Sequence, residues 1–97
     1  MIQVIGCIPH ESNKERGLEV LEMQMKSMKE HSGCVSVKLS KGPVMSPNGP
    51  SKYQLVITAT WNSLDEFVGW ASSDVEKKKM PILRELKVEM FFYELSS

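Results

Sequence analysis

An α+β fold, an antiparallel sheet with helices on one face, is what the sequence predicts, and three observations predict it. Apolar residues recur at two-residue steps in Cys34 to Ser40 and Tyr53 to Trp61, the period of a strand. They recur at three- and four-residue steps in the segments between, the period of a helix. Ser-x-x-Glu spacings, in which a hydroxyl caps an amide and the Glu reaches back, stand at Ser12, Ser63 and Ser73. With 97 residues, residues 1–97 make a single domain.

Ile2, Val4, Ile5 and Ile8 form a first strand, apolar on both faces, stopped by Pro9. Ser12-Asn13-Lys14-Glu15 opens a helix whose stripe is Leu18, Leu21, Met25 and Met28, with Glu19, Glu22, Lys26 and Lys29 opposite. His31-Ser32-Gly33 closes it, since Gly readily takes the left-handed conformation of a helix C-terminus. Cys34 to Ser40 puts Val35, Val37 and Leu39 on one face and Ser36, Lys38 and Ser40 on the other. Lys41 to Ser51, with Pro43, Pro47, Asn48, Gly49 and Pro50, is a turn-rich loop. Tyr53 to Trp61 is a central strand.

Ser63 then opens a helix striped by Leu64, Phe67, Val68 and Ala71, with Trp70 near the stripe. Ser73-Asp74-Val75-Glu76 opens a second, which meets Pro81, a residue that lacks the backbone donor a helix interior requires. Leu86 to Leu95 is a last strand, apolar on both faces. The order βαββααβ is that of a ferredoxin-like sheet. Helices on one side leave the second apolar face of the first, third and last strands uncovered, so a homodimer is expected.

Twelve Lys plus Arg balance twelve Asp plus Glu, which leaves no footprint for a phosphate backbone and excludes nucleic acid as a partner. No apolar run reaches the roughly 20 residues of a membrane span, and no secretory signal opens the chain. A cytoplasmic protein without a membrane partner is expected. Cys7 and Cys34 lack CxxC spacing and read as structural thiols. His10 and His31, the only imidazoles, make no HxxxH pattern and no metal site; capping and surface roles suit both. Lys77 to Lys79 reads as a solvated helix face.

Trp70 has two readings, a pocket wall for a planar ligand or core packing, and Phe67 and Trp61 share the ambiguity with core favoured. Met23, Met25, Met28, Met80 and Met90 are either filler or the adaptable lining of a cavity. No residue identifies itself as a general base.

The apolar first strand, the helix ending in His31-Ser32-Gly33-Cys34, and above all Trp61-Asn62-Ser63 leading to Phe67, Trp70, Ser73 and Asp74 resemble the antibiotic biosynthesis monooxygenase domain family of the dimeric α+β barrel superfamily. The resemblance spans nearly the whole chain. It implies a homodimer with its two sheets facing one another and a pocket in each protomer between sheet and helices. Such proteins oxidise polycyclic phenols or quinols with O₂ and no metal or flavin, degrade haem, or isomerise and bind small metabolites. From Trp61 to Asp74 the chain is most similar to the haem-degrading branch. Trp70 takes the place of the tryptophan that presses on the macrocycle, but the axial histidine falls on Met80, and the first-strand asparagine falls near Gly6 or Cys7. A Met sulfur alone favours electron transfer over oxygen chemistry.

The leading expectation is a small monooxygenase acting on a planar aromatic phenol or quinol, without a cofactor, with Trp70, Phe67, Met80, Met25 and Cys7 against the substrate. The alternatives are a non-catalytic barrel that binds a small metabolite and a protein that binds or degrades haem.

Overall fold

The computed structural model describes residues 1–42 and 44–95. Four strands, β1 (Ile2–Pro9), β2 (Cys34–Ser40), β5 (Tyr53–Trp61) and β6 (Glu89–Glu94), form one sheet in the order β2-β5-β1-β6. All its neighbours run antiparallel, so this is the α+β, ferredoxin-like arrangement that the element order predicts. Helix α1 (Lys14–Lys29) crosses between β1 and β2, while α2 (Leu64–Ala71), α3 (Asp74–Lys77) and α4 (Met80–Glu85) lie between β5 and β6. Within the turn-rich loop a separate hairpin pairs β3 (Met45–Ser46) with β4 (Gly49–Pro50). Gly49 there has φ 115°, a value that favours a residue without Cβ. Pro43 of that loop lies outside the described residues.

Register decides which side chains meet the helices. Val4 faces Ala59, Gly6 faces Ile57 and Ile8 faces Leu55 across β1 and β5, and β6 continues the same rows with Phe92 beside Val4 and Met90 beside Gly6. The resulting core holds Ile8, Leu21, Leu55 and Trp61 essentially without exposure. An added Cβ at Gly17 of α1 would meet Ile8 Cδ1 at 3.0 Å and Leu55 Cδ1 at 3.2 Å, so the absent side chain lets the helix approach the sheet closely.

Several local expectations shift by a residue or more. Asn13, not Ser12, caps α1 by accepting from the Arg16 amide, and Ser12 Oγ instead donates to the Leu86 carbonyl at 2.6 Å. The buried stripe of α1 is Gly17, Val20, Leu21, Gln24 and Met28, rotated so that polar Gln24 lies inward and Met25 only flanks the core. Cys34 pairs with Trp61 but Ser36 with Thr60, so Val35 is the extra residue of a β-bulge and is 51% exposed rather than aligned with Val37. Leu64 and Val68 are likewise exposed, leaving Phe67 and Trp70 as the buried face of α2.

Pro81 begins a helix instead of stopping one, because it occupies the first turn of α4, where its missing N–H costs nothing. Leu86 caps that helix, and the chain turns through Lys87, with φ 57°, before β6 starts at Glu89.

Candidate functional site

A cavity of about 100 Å³ lies between the sheet and the helical layer. Val4, Gly6, Ile57 and Ala59 form its sheet side, and Met28, Phe67, Trp70 and Leu83 belong to its helical side. A Cβ on Gly6 would lie 3.1 Å from Ile57 Cγ2, so the glycine keeps the sheet side of the cavity open. Met80 and Met90 also line it and are 43% and 46% exposed; these partly exposed thioethers form its rim.

Packing orients the aromatic wall. Trp61 sits at 5.6 Å from Phe67, edge to face, and at 5.7 Å from Trp70 between ring centroids, while Phe67 meets Phe92 edge to face at 5.4 Å. The two Phe67 pairs have the favourable T-shaped geometry, and the Trp61–Trp70 pair is tilted. His31 tilts against Trp61 at 5.4 Å, and its Nδ1 accepts from the Gly33 amide at 3.1 Å, so it serves the α1 C-terminus rather than the cavity.

The polar part of the site is a chain of hydrogen bonds between helices. Trp70 Nε1–H donates to Ser27 Oγ at 3.0 Å, and Ser27 Oγ–H donates to Glu76 Oε2 at 2.9 Å. Lys79 Nζ donates to the same Oε2 at 3.0 Å, in a pair whose side chains are 14% and 4% exposed. Glu76 therefore does more than the Ser73 capping spacing suggests. Its backbone N–H donates to Ser73 Oγ, but its carboxylate turns into the protein, where Oε1 has no partner. Gln24 Oε1 is likewise buried and unpartnered, and both residues line the cavity. Neither stands out in the sequence as a site residue; the one legible signal is a Gln on the inward face of an amphipathic helix.

The structure thus brings Trp70, Phe67 and Met80 to one cavity, together with Gln24, Met28, Glu76 and Met90. Met25 and Cys7 do not line it. Met25 lies beside the buried stripe of α1. Cys7 points to the other side of the sheet, paired with Val56 and Glu89, where burial and the Glu89 charge push its thiol up. Met23 is half exposed, and His10 lines a separate shallow depression with Pro9, Glu11 and Lys52.

Haem does not suit this cavity. A porphyrin is several times larger than 100 Å³, and the lining offers iron thioethers and one carboxylate already held by Lys79, with no imidazole. Among the described residues no three His, Cys, Asp or Glu side chains gather as a metal site, and no helix is long and apolar enough to cross a membrane.

No protein-family model and no curated protein matches the sequence. Solved structures do match. SnoaB from Streptomyces nogalater, a cofactor-independent oxygenase, is 15% identical over 99% of this chain and 92% of its own, with a TM-score of 0.71. The chain has its fold. A proposed antibiotic biosynthesis monooxygenase from Deinococcus radiodurans is 16% identical over 100% of this chain and 94% of its own, with a TM-score of 0.70. An ethyl tert-butyl ether d (ethd) family protein from Bacillus halodurans is 16% identical over 99% of both chains, with a TM-score of 0.71. At such identities the likeness establishes architecture, and activity must be argued from the cavity.

Proposed function

We propose that the protein is a small monooxygenase that oxidises a compact phenol or quinol with O₂ in the Trp70 cavity, without a metal or organic cofactor. The observation that carries this reading is the cavity itself: an apolar space between sheet and helices, walled by Trp70 and Phe67, with carboxylate and amide oxygens as its polar features. SnoaB, described as a cofactor-independent oxygenase, supports the reading through its shared fold. About 100 Å³ favours a single-ring compound over a polycyclic one.

The chemistry needs no bound metal. Loss of the ring hydroxyl proton leaves an electron-rich anion, which passes one electron to O₂ and becomes an oxyl radical beside superoxide. The two combine at a ring carbon to form a C–O bond. Cleavage of the O–O bond leaves one oxygen on the ring as a quinone carbonyl and releases the other, with two hydrogens, as water. The protein supplies a fixed orientation between ring and O₂ and a dry surrounding in which a placed charge acts strongly.

Oxygen uptake with hydroquinones and simple phenols, in the presence of a chelator, tests the proposal. Uptake well above the buffer rate is expected, and at least tenfold less for Ala71→Leu, which puts bulk on the cavity wall. Uptake equal to the buffer rate, with thermal stabilisation by the same compounds, would establish the binding barrel instead.

Assembly belongs to the same reading. Ile5, Val56, Phe91 and Tyr93 share the sheet face away from the helices, and the last two are each 46% exposed. A second copy of the chain covers this face, and sedimentation equilibrium measures it. The thiols of Cys7 and Cys34 are free, as suits a protein of the reducing cytoplasm.

A further inference from the structure

Gln24 and Glu76 are 6% and 4% exposed, and each leaves one buried oxygen, Oε1, without a hydrogen bond. A buried acceptor with no donor is a substantial cost to a folded protein, and native structures keep few of them. Here two line one cavity, and the donors of the hydrogen-bond chain beside them are engaged: the Trp70 N–H goes to Ser27, and Lys79 and Ser27 both go to the other oxygen of Glu76. A ligand with donors of its own would satisfy both oxygens.

We infer that the cavity is built for a compact apolar molecule bearing two hydrogen-bond donors, one held by Glu76 Oε1 and one by Gln24 Oε1, and that Glu76 takes the proton of the hydroxyl it holds. The binding half of this inference stands on the two oxygens alone; the proton step rests on the oxygenase reading above. A cationic ligand fits less well, because Lys79 already neutralises Glu76. In the proton step the ligand O–H bond breaks, its electron pair stays on the ligand oxygen, and a new O–H bond forms on the carboxylate. The Lys79 ammonium, 3.0 Å from Oε2, keeps its charge and now offsets the ligand anion. Dioxygen is the oxidant that follows.

Gln24→Met keeps the size of the side chain and removes the acceptor, so the ligand-free variant should melt several degrees higher than wild type. A lower melting temperature would mean the amide has a structural role and would overturn the inference. Binding is then read anaerobically by tryptophan fluorescence with hydroquinone and the equally shaped 4-methylphenol. The ratio of their affinities should be about tenfold greater in wild type than in Gln24→Met; an equal ratio overturns the two-donor site. Glu76→Gln should bind hydroquinone within a few fold of wild type yet lose oxygen uptake by at least about a hundredfold. Undiminished uptake in that variant overturns the proton role. Wild type that prefers the diol but consumes no oxygen upholds the two-donor site while refuting the oxygenase reading. Should Glu76→Gln fail to fold, the Gln24→Met comparison still decides the site.

Discussion

On the helix-facing side of the sheet Val4, Ile8, Leu55, Ile57, Ala59 and Trp61 are at most 6% exposed, whereas on the opposite side Phe91 and Tyr93 remain 46% exposed. Both sides belong to the same strands, and both carry apolar residues. The difference is one of cover. Helices α1 to α4 cover β1 and β5 on their side but leave Phe92 and Met90 of the edge strand β6 50% and 46% exposed, and the polar groups Trp70, Ser27, Glu76 and Lys79 of that side are joined in a single chain of hydrogen bonds. On the open side the polar group Glu89 is held at the surface by Tyr53 and Lys52. Apolar area removed from water stabilises by about 25 cal/mol per Å², so the second copy proposed for the open side would add stability there.

Trp61→Ala breaks the comparison most severely, because the ring is fully buried and touches Phe67, Trp70 and His31. A loss of about 3–5 kcal/mol is expected, seen as a lowered urea midpoint or as failure to fold; a loss under about 1 kcal/mol would mean the aromatic cluster is not the centre of the core. Ser27→Ala comes next. It strips the Trp70 N–H of its acceptor and should cost about 1–3 kcal/mol in urea unfolding, with a shift in tryptophan emission.

Phe91→Ser sharpens the contrast from the other side. Monomer stability should change by no more than about 0.5 kcal/mol, while self-association in sedimentation equilibrium weakens about tenfold or more, as removal of a buried aromatic anchor does. A stability loss like that of Trp61→Ala would show that this face is finished within one chain.

The smallest effect concerns acid. Hydrogen bonds from Tyr53 and Lys52 hold the Glu89 carboxyl below its usual range. A lowered folded-state value means that the stabilisation is present above the unfolded value of about 4.3 and is lost as pH falls through the folded one. Urea midpoints followed down from about pH 6 to 3 should therefore fall less steeply for Glu89→Gln than for wild type. Parallel curves would remove Glu89 from the acid response.

Local signals placed most elements well. β2 and β5 begin and end where the alternation does, at Cys34 and Ser40 and at Tyr53 and Trp61, and Ser63 and Ser73 cap the helices their spacings mark. Val35 escaped because a bulge is a property of two paired strands. Asn13 displaced Ser12 because the Ser12 hydroxyl found the distant Leu86 carbonyl, 74 positions along the chain. That Phe67 and Trp70 lie inward on α2 was legible, since large rings near an apolar helix stripe tend to pack against a sheet. Gln24 and Glu76 were not, because a carboxylate three residues after a serine is most simply a cap.

The sequence by itself determined the order of the main strands and helices, the inward face of β5, and the surplus of apolar faces over helices. These follow from periodicity and capping, which act over a few neighbouring residues. Only the tertiary structure decided that Ser27 of α1, Trp70 of α2 and Glu76 of α3 share hydrogen bonds, and that one oxygen of Glu76 and one of Gln24 are left without donors beside an apolar cavity. Whether a buried polar atom is satisfied depends on what distant segments bring within about 3 Å, and no local pattern encodes that.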